Sequence, residues 1–173
     1  MEKKVLIIIA ARDFRDEEYQ EPKTILEKAG VKVVVASTAA GTARGMFGMQ
    51  VTPDTTVNEV NPAEFDAVVV VGGSGSQTYL WNNMHVHKIV QALHQRGCLV
   101  AAICISPVIL AKVGLLNGKK ATVFRTATTL NELEKGGALI SNDPVVVDGK
   151  IITGRGPEAA KEFGRKIADN LLI

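Results

Sequence analysis

Four continuous apolar runs, each bounded by polar or glycine residues, divide the chain into regular segments. They span residues 5–10, 31–36, 67–71 and 99–103. Because the runs are rich in β-branched residues and do not alternate with polar ones, they predict strands that are buried on both faces, as in a parallel sheet.

Helical patterns lie between these runs. Helices are predicted over residues 17–29, 84–95 and 157–172. Gly30 follows the first helix and Gly97 lies near the end of the second, as expected of glycine after a helix, and Pro157 opens the third. The alternation of strands and helices predicts an α/β fold with an open, mainly parallel sheet and right-handed crossovers.

Two segments depart from this alternation. Residues 44–57 carry glycine and proline among short β-prone pieces, which predicts a small antiparallel excursion. Residues 145–152 predict a β-hairpin, because Asp148 and Gly149 tolerate the positive φ angles of a type I′ turn. With no internal repeat or linker in the sequence, we expect residues 1–173 to form one domain.

Composition restricts the classes of function. Of the 173 residues 46% are hydrophobic and 22% charged, as in ordinary globular proteins, and the net charge of +2 predicts neither a nucleic-acid nor a membrane partner. The apolar run near the N-terminus is interrupted by Arg12 and Asp13, which favours a buried strand over a secretion signal. No run reaches the roughly 18 apolar residues that span a bilayer. We therefore expect a cytoplasmic protein.

Cys104 is the residue that most indicates chemistry. It follows the run 99–103 directly, and a helix is expected from Pro107 onward, so that the thiol lies in a tight strand-to-helix turn. Backbone N–H groups at a helix start favour a thiolate and can also hold an oxyanion. On one extended strand, Cys98 and Cys104 would be about 20 Å apart, which is too far for a disulfide, so both are expected to be free thiols.

Polar or glycine-rich segments follow three of the predicted strands. They are residues 12–18, residues 72–76 and Cys104 itself. Ligands of a doubly wound sheet bind beyond the carboxyl ends of its strands, and adjacency of these three ends is the simplest arrangement. The sequence therefore predicts a single site at this edge.

The segment from Ala101 to Pro107 resembles the nucleophile elbow of the ThiJ/PfpI superfamily, which includes intracellular proteases, glyoxalases, deglycases and chaperones. Three further segments agree in order and spacing, namely residues 16–22, 65–73 and 147–157. The similarity covers essentially the whole chain. It implies a flavodoxin-like three-layer sandwich that forms a homodimer or a higher homo-oligomer, with the thiol beside a subunit interface.

The resemblance also implies roles for individual residues. Cys104 would be the nucleophile, and Glu18, four residues before a proline, would contact the thiol, with Glu17 as the alternative. The N–H groups of Gly73 and Ile105 would form an oxyanion hole. A carboxyl group close to a thiolate tends to stay protonated, and it can then donate a hydrogen bond to the sulfur or move a proton.

The sequence departs from the family pattern in three places. Ile105 occupies the position directly after the cysteine, where members proposed as proteases carry histidine. Residues 123–126 contain no histidine either, although other members have one there. Ser106 replaces the glycine usual in this elbow. A Cys–His triad for peptide hydrolysis is therefore not expected.

Several other features have two interpretations. Gly72 and the glycines after it form either a tight turn or a phosphate cradle, but Thr78 stands where a dinucleotide fingerprint needs its third glycine. The histidines are expected on a solvated helix face rather than around a metal; they are His85, His87 and His94. Arg155 is either a cation of the site or a loop anchor. Trp81 is expected to pack rather than to stack on a ligand.

These inferences lead to a hypothesis with two alternatives. We expect an enzyme of ThiJ/PfpI type that uses Cys104 and Glu18 on small reactive carbonyls such as 2-oxoaldehydes, or on their protein adducts. Gly72, Ser106 and Arg155 are further candidates for lining this site. The alternatives are a redox-sensing or stress-chaperone protein with an oxidisable thiol, and a peptidase that obtains its histidine from elsewhere. No cofactor and no metal is expected.

Overall fold

The computed structural model describes residues 2–173 and has six helices and twelve strands among them. The strands are β1 (Lys4–Ile9), β2 (Arg12–Phe14), β3 (Lys32–Ser37), β4 (Ala43–Gly45), β5 (Gln50–Val51), β6 (Thr55–Thr56), β7 (Ala67–Val70), β8 (Leu99–Ile103), β9 (Lys120–Ala121), β10 (Leu139–Ile140), β11 (Val145–Asp148) and β12 (Ile151–Gly154). The helices are α1 (Asp16–Lys28), α2 (Ser74–Tyr79), α3 (Met84–Gln95), α4 (Pro107–Lys112), α5 (Ala127–Lys135) and α6 (Ala160–Leu171).

The main sheet has seven strands in the order β11-β12-β8-β7-β1-β3-β6. Its pairs are parallel except for β11, which runs antiparallel to β12. The five longest parallel neighbours follow the order 2-1-3-4-5 that characterises flavodoxin-like sheets. The predicted fold, an α/β sandwich on a mainly parallel sheet, is confirmed.

Helices cover both faces of this sheet. On β1, Val5, Ile7 and Ile9 belong to a core that includes side chains of α1 and α6. Leu6 and Ile8 face the opposite way, into a core with side chains of α3 and α4. Strands that are covered on both sides carry apolar residues at every position, which explains why the runs in the sequence do not alternate.

The element boundaries agree closely with the sequence predictions. Strand β8 and helix α3 have the predicted bounds, and α1 is displaced by one residue. The predicted final helix begins instead as a short 3₁₀ turn, Pro157–Ala159, before α6 starts. Gly30 lies directly beyond the C-cap of α1 with φ of +83°, as a glycine in this position should.

The predicted hairpin is confirmed as β11 and β12, but its turn type is wrong. A type I′ turn needs positive φ at both central residues. Gly149 has φ of +61°, whereas Lys150 is not in the positive region. Glycine at the first central position alone is the pattern of a type II′ turn, which has a comparable fit to twisted strands.

The antiparallel excursion predicted for residues 44–57 is correct only in its first part. β4 and β5 pair antiparallel, and β2 joins β4 in a separate small sheet. Thr55 and Thr56, however, pair parallel with Ala36 and Ser37 and thereby extend the main sheet as β6. Within residues 2–173, no helix is both long and apolar enough to cross a membrane.

Candidate active site

The carboxyl ends of β1, β7 and β8 are neighbours in the sheet, as the sequence analysis expected. The segment after β1 contacts the glycines after β7 directly, because the N–H of Arg15 donates to the carbonyl of Gly72 at 3.0 Å. Cys104 follows β8 in the same row. One edge of the sheet therefore collects the three polar segments that the sequence places after separate strands.

Cys104 occupies a strained turn that is held on both sides. Its φ is +66°, in the left-handed region that costs a non-glycine residue roughly 1–3 kcal/mol. The Cys104 N–H donates to the carbonyl of Gly154 at 2.9 Å, and the Cys104 carbonyl accepts from the N–H of Phe124 at 2.8 Å. Helix α4 begins three residues later with Pro107. The neighbouring strand and loop thus impose the conformation that presents the thiol.

Two glycines allow the chain to pass closely beneath the thiol. A Cβ on Gly72 would lie 2.4 Å from the Cβ of Cys104 and 2.6 Å from Glu18 Oε1. Gly73 has φ of +98°, and a Cβ there would lie 2.4 Å from the backbone nitrogen of Arg15. Side chains at either position would separate the carboxyl from the sulfur or push back the segment after β1.

Glu18 lies in the first turn of α1 and is fully buried. Its Oε1 atom accepts a hydrogen bond from the N–H of Gly72 at 3.0 Å, while Oε2 is buried without a partner of good geometry. Burial raises the pKa of Glu18 to about 8, although hydrogen bonding to Cys104 and Gly72 acts in the opposite direction. At neutral pH the carboxyl is therefore protonated.

The thiol of Cys104 is also buried, with 8% of the residue exposed. Burial, together with the negative charge that Glu18 can carry, raises the pKa of Cys104 to about 12. The N–H groups of Gly73 and Ile105 donate towards the sulfur and lower the pKa, but by less. This direction is opposite to the thiolate-favouring environment expected from sequence. The resting pair at neutral pH is a thiol beside a carboxylic acid.

The sulfur opens onto a depression of about 270 Å³. Gly73 and Ile105, the two predicted oxyanion donors, line it together with Cys104. Six residues that the sequence analysis did not single out complete much of the wall: Arg15, Met46, Gln77, Phe124, Thr126 and Pro157. Phe124 and Thr126 belong to the segment in which other family members carry histidine. No histidine lines the depression within residues 2–173.

The position of Glu18 distinguishes it from Glu17. Glu17 points to the surface side of α1, where its carboxylate binds the Arg15 guanidinium at 2.9 and 3.0 Å. The hydrogen bond from Arg15 lowers the pKa of Glu17. The structure therefore places Glu18, and not the alternative Glu17, beside the thiol.

All three predicted lining residues lie outside the wall of the depression. Gly72 lies beneath the thiol instead. Ser106 is fully buried, and its hydroxyl donates to the carbonyl of Val71 at 2.7 Å, so that it fastens the elbow to the end of β7. Arg155 lies in a neighbouring surface depression, where it donates to the carbonyl of Asn142 at 2.7 Å and pairs with Glu158. Of its two interpretations, the loop anchor agrees with these contacts.

The tryptophan, histidine and second cysteine singled out in the sequence lie outside the depression, and their contacts are with the surrounding protein. The Trp81 indole N–H donates to the carbonyl of Ile105 at 3.0 Å, so this ring packs behind the elbow as expected. His87 Nε2 lies 2.7 Å from the carbonyl oxygen of Trp81. Cys98 and Cys104 are both free thiols, as predicted. In the described part of the chain, no three potential ligand residues come close enough to hold a metal ion.

Comparisons with known proteins agree with this fold. A sequence model of the DJ-1/PfpI family matches residues 3–170. The chain is 46% identical to the uncharacterized protein MJ0967 of Methanocaldococcus jannaschii over 95% of this chain and 80% of that protein. It is 34% identical to the deglycase PfpI of Pyrococcus furiosus over 88% and 90% of the two chains. The crystal structure of a ThiJ/PfpI domain protein from Brachyspira murdochii superposes with a TM-score of 0.94 at 34% identity, over 99% of this chain and 98% of that one.

Proposed function

The chain belongs to the DJ-1/PfpI family, and on this basis we propose that it is a cysteine-dependent enzyme that acts on small reactive carbonyl compounds. The substrates proposed are 2-oxoaldehydes such as methylglyoxal, or the adducts that these form with proteins. The name deglycase, carried by the Pyrococcus furiosus relative, supports this chemical class. The observation that carries the proposal is the contact of the Cys104 thiol with a buried, protonated carboxyl at the floor of an open depression.

The proposed reaction begins with addition of the thiol to the aldehyde. A lone pair of the sulfur forms the S–C bond while the π pair of the carbonyl moves to oxygen. Glu18 gives its own proton to the carbonyl oxygen and takes up the thiol proton, so the product is a hemithioacetal with one new hydroxyl group and Glu18 ends protonated, as it began. Nothing is oxidised or reduced in this step, and no co-reactant is needed.

Two groups of the chain lower the barrier to this addition. The N–H groups of Gly73 and Ile105 converge on the sulfur, so a carbonyl oxygen brought next to the sulfur is within their reach. Each donor to a developing oxyanion contributes about 2.7–4 kcal/mol in comparable enzymes. Glu18 limits the charge that develops on sulfur and oxygen, because it accepts the thiol proton as it gives its own proton to the carbonyl oxygen. A thiol with a high resting pKa therefore reacts only when both kinds of donor are in place.

The test is consumption of methylglyoxal by four purified proteins: the native chain, Cys104→Ala, Glu18→Gln and Cys98→Ala. We expect Cys104→Ala to lose the activity and Glu18→Gln to lose at least about a hundredfold, the lower end of general acid–base contributions. Cys98→Ala is the matched control, because it removes a free thiol outside the depression, and should keep the native rate. Equal rates for the native chain and Cys104→Ala would refute the proposal.

The alternatives from the sequence analysis differ in what the site offers them. A peptidase lacks support, since no histidine of the described chain lines the depression. A redox-sensing role uses the same thiol: one equivalent of hydrogen peroxide gives the sulfenic acid and a second gives the sulfinic acid, with a water released each time. Sulfinate at Cys104 by intact mass, without turnover of any aldehyde, would favour that role over the enzyme.

A further inference from the structure

Arg15 brings a positive charge to the depression that holds the Cys104 sulfur. Arg15 is part of the wall, and no acidic side chain of the described chain lines it. Glu17, which neutralises part of this charge, stands outside the wall. The depression is therefore electrically asymmetric: a reacting molecule inside it meets one cation and, at neutral pH, no anion.

The guanidinium of Arg15 is held from two sides. Its Nε and Nη2 atoms donate to the two carboxylate oxygens of Glu17 at 2.9 and 3.0 Å. Its central carbon lies 4.6 Å from the centre of the Phe47 ring. The backbone N–H of Phe47 in turn donates to Asp16 at 3.1 Å, which fixes the loop that carries the ring.

These contacts use two of the three guanidinium nitrogens. In the described part of the chain Nη1 makes no hydrogen bond, and Arg15 is near enough to interact electrostatically with Cys104. A planar guanidinium that is already immobilised loses little conformational freedom when it binds a carboxylate. The Arg15 side chain is 27% exposed, so salt partly screens its attraction for a negatively charged molecule in the depression.

We propose that Arg15 is a specificity-determining residue that selects electrophiles carrying a carboxylate next to the reacting carbon, of which glyoxylate is the simplest. This inference rests on the proposed function and narrows its substrate class. The thiol adds to the aldehyde carbon of glyoxylate, the aldehyde oxygen takes the proton, and the carboxylate stays bound to Arg15 unchanged. Methylglyoxal has nearly the same size but no charge, so the two molecules differ mainly in the carboxylate that Arg15 would bind.

The first test uses two alkylating reagents that differ only in charge. Iodoacetate is an anion and iodoacetamide is neutral; both alkylate a thiol with release of iodide. The rate constant for each is measured at Cys104 by peptide-resolved mass spectrometry, with Cys98 as the internal reference. Both reagents consume the same thiolate, so their ratio cancels any change in the pKa of Cys104 or in general access to it.

The variants are Arg15→Gln, Arg15→Lys and, as a matched control, Arg12→Gln, which removes an exposed arginine outside the depression. We expect the iodoacetate-to-iodoacetamide ratio at Cys104 to fall about fivefold in Arg15→Gln, as for a partly exposed ion pair of about 1 kcal/mol. Arg15→Lys should keep most of the ratio and Arg12→Gln should keep all of it. A ratio in Arg15→Gln within about twofold of the native value would overturn the proposal.

A second measurement needs no variant and so does not depend on its folding. In the native protein, raising sodium chloride to about 1 M shortens the Debye length to about 3 Å and should lower the ratio at Cys104 but not at Cys98. A ratio at Cys104 that is independent of salt would overturn the proposal.

Glyoxylate and methylglyoxal then separate the two proposals from each other. We expect the ratio of their kcat/KM values to fall about fivefold in Arg15→Gln, for the same electrostatic reason. If neither aldehyde is consumed while the alkylation ratio behaves as expected, the proposed function fails and the anion preference of the site stands. If both are consumed at the same ratio in native and Arg15→Gln proteins, the role of Arg15 is refuted and the proposed function stands.

Discussion

Glu18→Gln should change the way in which stability depends on pH. Burial raises the pKa of Glu18 from 4.5 to about 8 in the folded protein, so the unfolded chain releases this proton at a lower pH than the folded one does. The stability that the protonated carboxyl contributes is fully present below pH 4.5 and is lost as pH rises through 8. The difference between the unfolded and folded pKa values of Glu18 corresponds to about 5 kcal/mol in the free energy of unfolding, at about 1.36 kcal/mol per pH unit.

Between pH 5 and pH 8 the loss should amount to about 3–4 kcal/mol. Glutamine keeps an oxygen that can accept the 3.0 Å hydrogen bond from Gly72 but has no proton to release. The free energy of unfolding of Glu18→Gln, minus that of the native protein, should therefore increase by this amount over the interval. Urea unfolding at equal protein concentration, in reducing buffer at pH 5, 6, 7 and 8, measures the difference.

Glu17→Gln is the matched control for this experiment. The hydrogen bond from Arg15 lowers the pKa of Glu17. The stability that the Glu17 carboxylate contributes is therefore present at pH values above its unfolded pKa of 4.5, and it is lost only as pH falls towards the folded pKa. From pH 5 to pH 8 this difference should be flat. A Glu18→Gln difference that changes by less than about 1 kcal/mol over the interval would refute the raised pKa, and with it the protonated carboxyl in the proposed mechanism.

Three further outcomes follow from the site. Alkylation of Cys104 by iodoacetamide should reach its midpoint at lower pH in Glu18→Gln than in the native protein, because the charge of Glu18 raises the pKa of the thiol; a midpoint at the same or higher pH would contradict this. Gly72→Ala should lower the free energy of unfolding by about 1–3 kcal/mol in urea, since its Cβ would lie 2.4 Å from that of Cys104. Ser106→Ala should cost about 1–3 kcal/mol in the same assay, because the 2.7 Å hydrogen bond to the carbonyl of Val71 is lost; an unchanged unfolding curve for either variant would show that the elbow is less tightly packed than described.

The parts of the site that the sequence predicts are those that topology determines. Parallel strands place their carboxyl ends at one edge, so adjacency of β1, β7 and β8 was enough to bring Gly73 and Cys104 together. The choice between Glu17 and Glu18 required the rotation of α1 about its axis. A one-residue difference turns a side chain by about 100° on a helix, and the sequence pattern alone does not fix that angle.

Other features depend on contacts between distant segments. Arg15 reaches the depression because Glu17 and the ring of Phe47 hold its guanidinium, and the loop with Phe47 is itself anchored on Asp16. The sequence signal was only that Arg15 belongs to the polar segment after the first strand. The raised pKa of Cys104 likewise comes from burial by several segments, which outweighs the backbone donors that the elbow pattern predicts.

At position 104 the residue that would make the fold most stable is not the residue that carries a reactive group. The left-handed backbone there favours glycine, whereas the chain has a cysteine. Glycine adopts φ near +66° without steric penalty, so Cys104→Gly relieves a conflict that Cys104→Ala preserves. Selection for thermal stability alone would favour glycine at this position, and a library screened only for melting temperature should enrich clones that lack the thiol on which the proposed activity depends. A cysteine at this position therefore lowers the stability of the turn that presents its thiol.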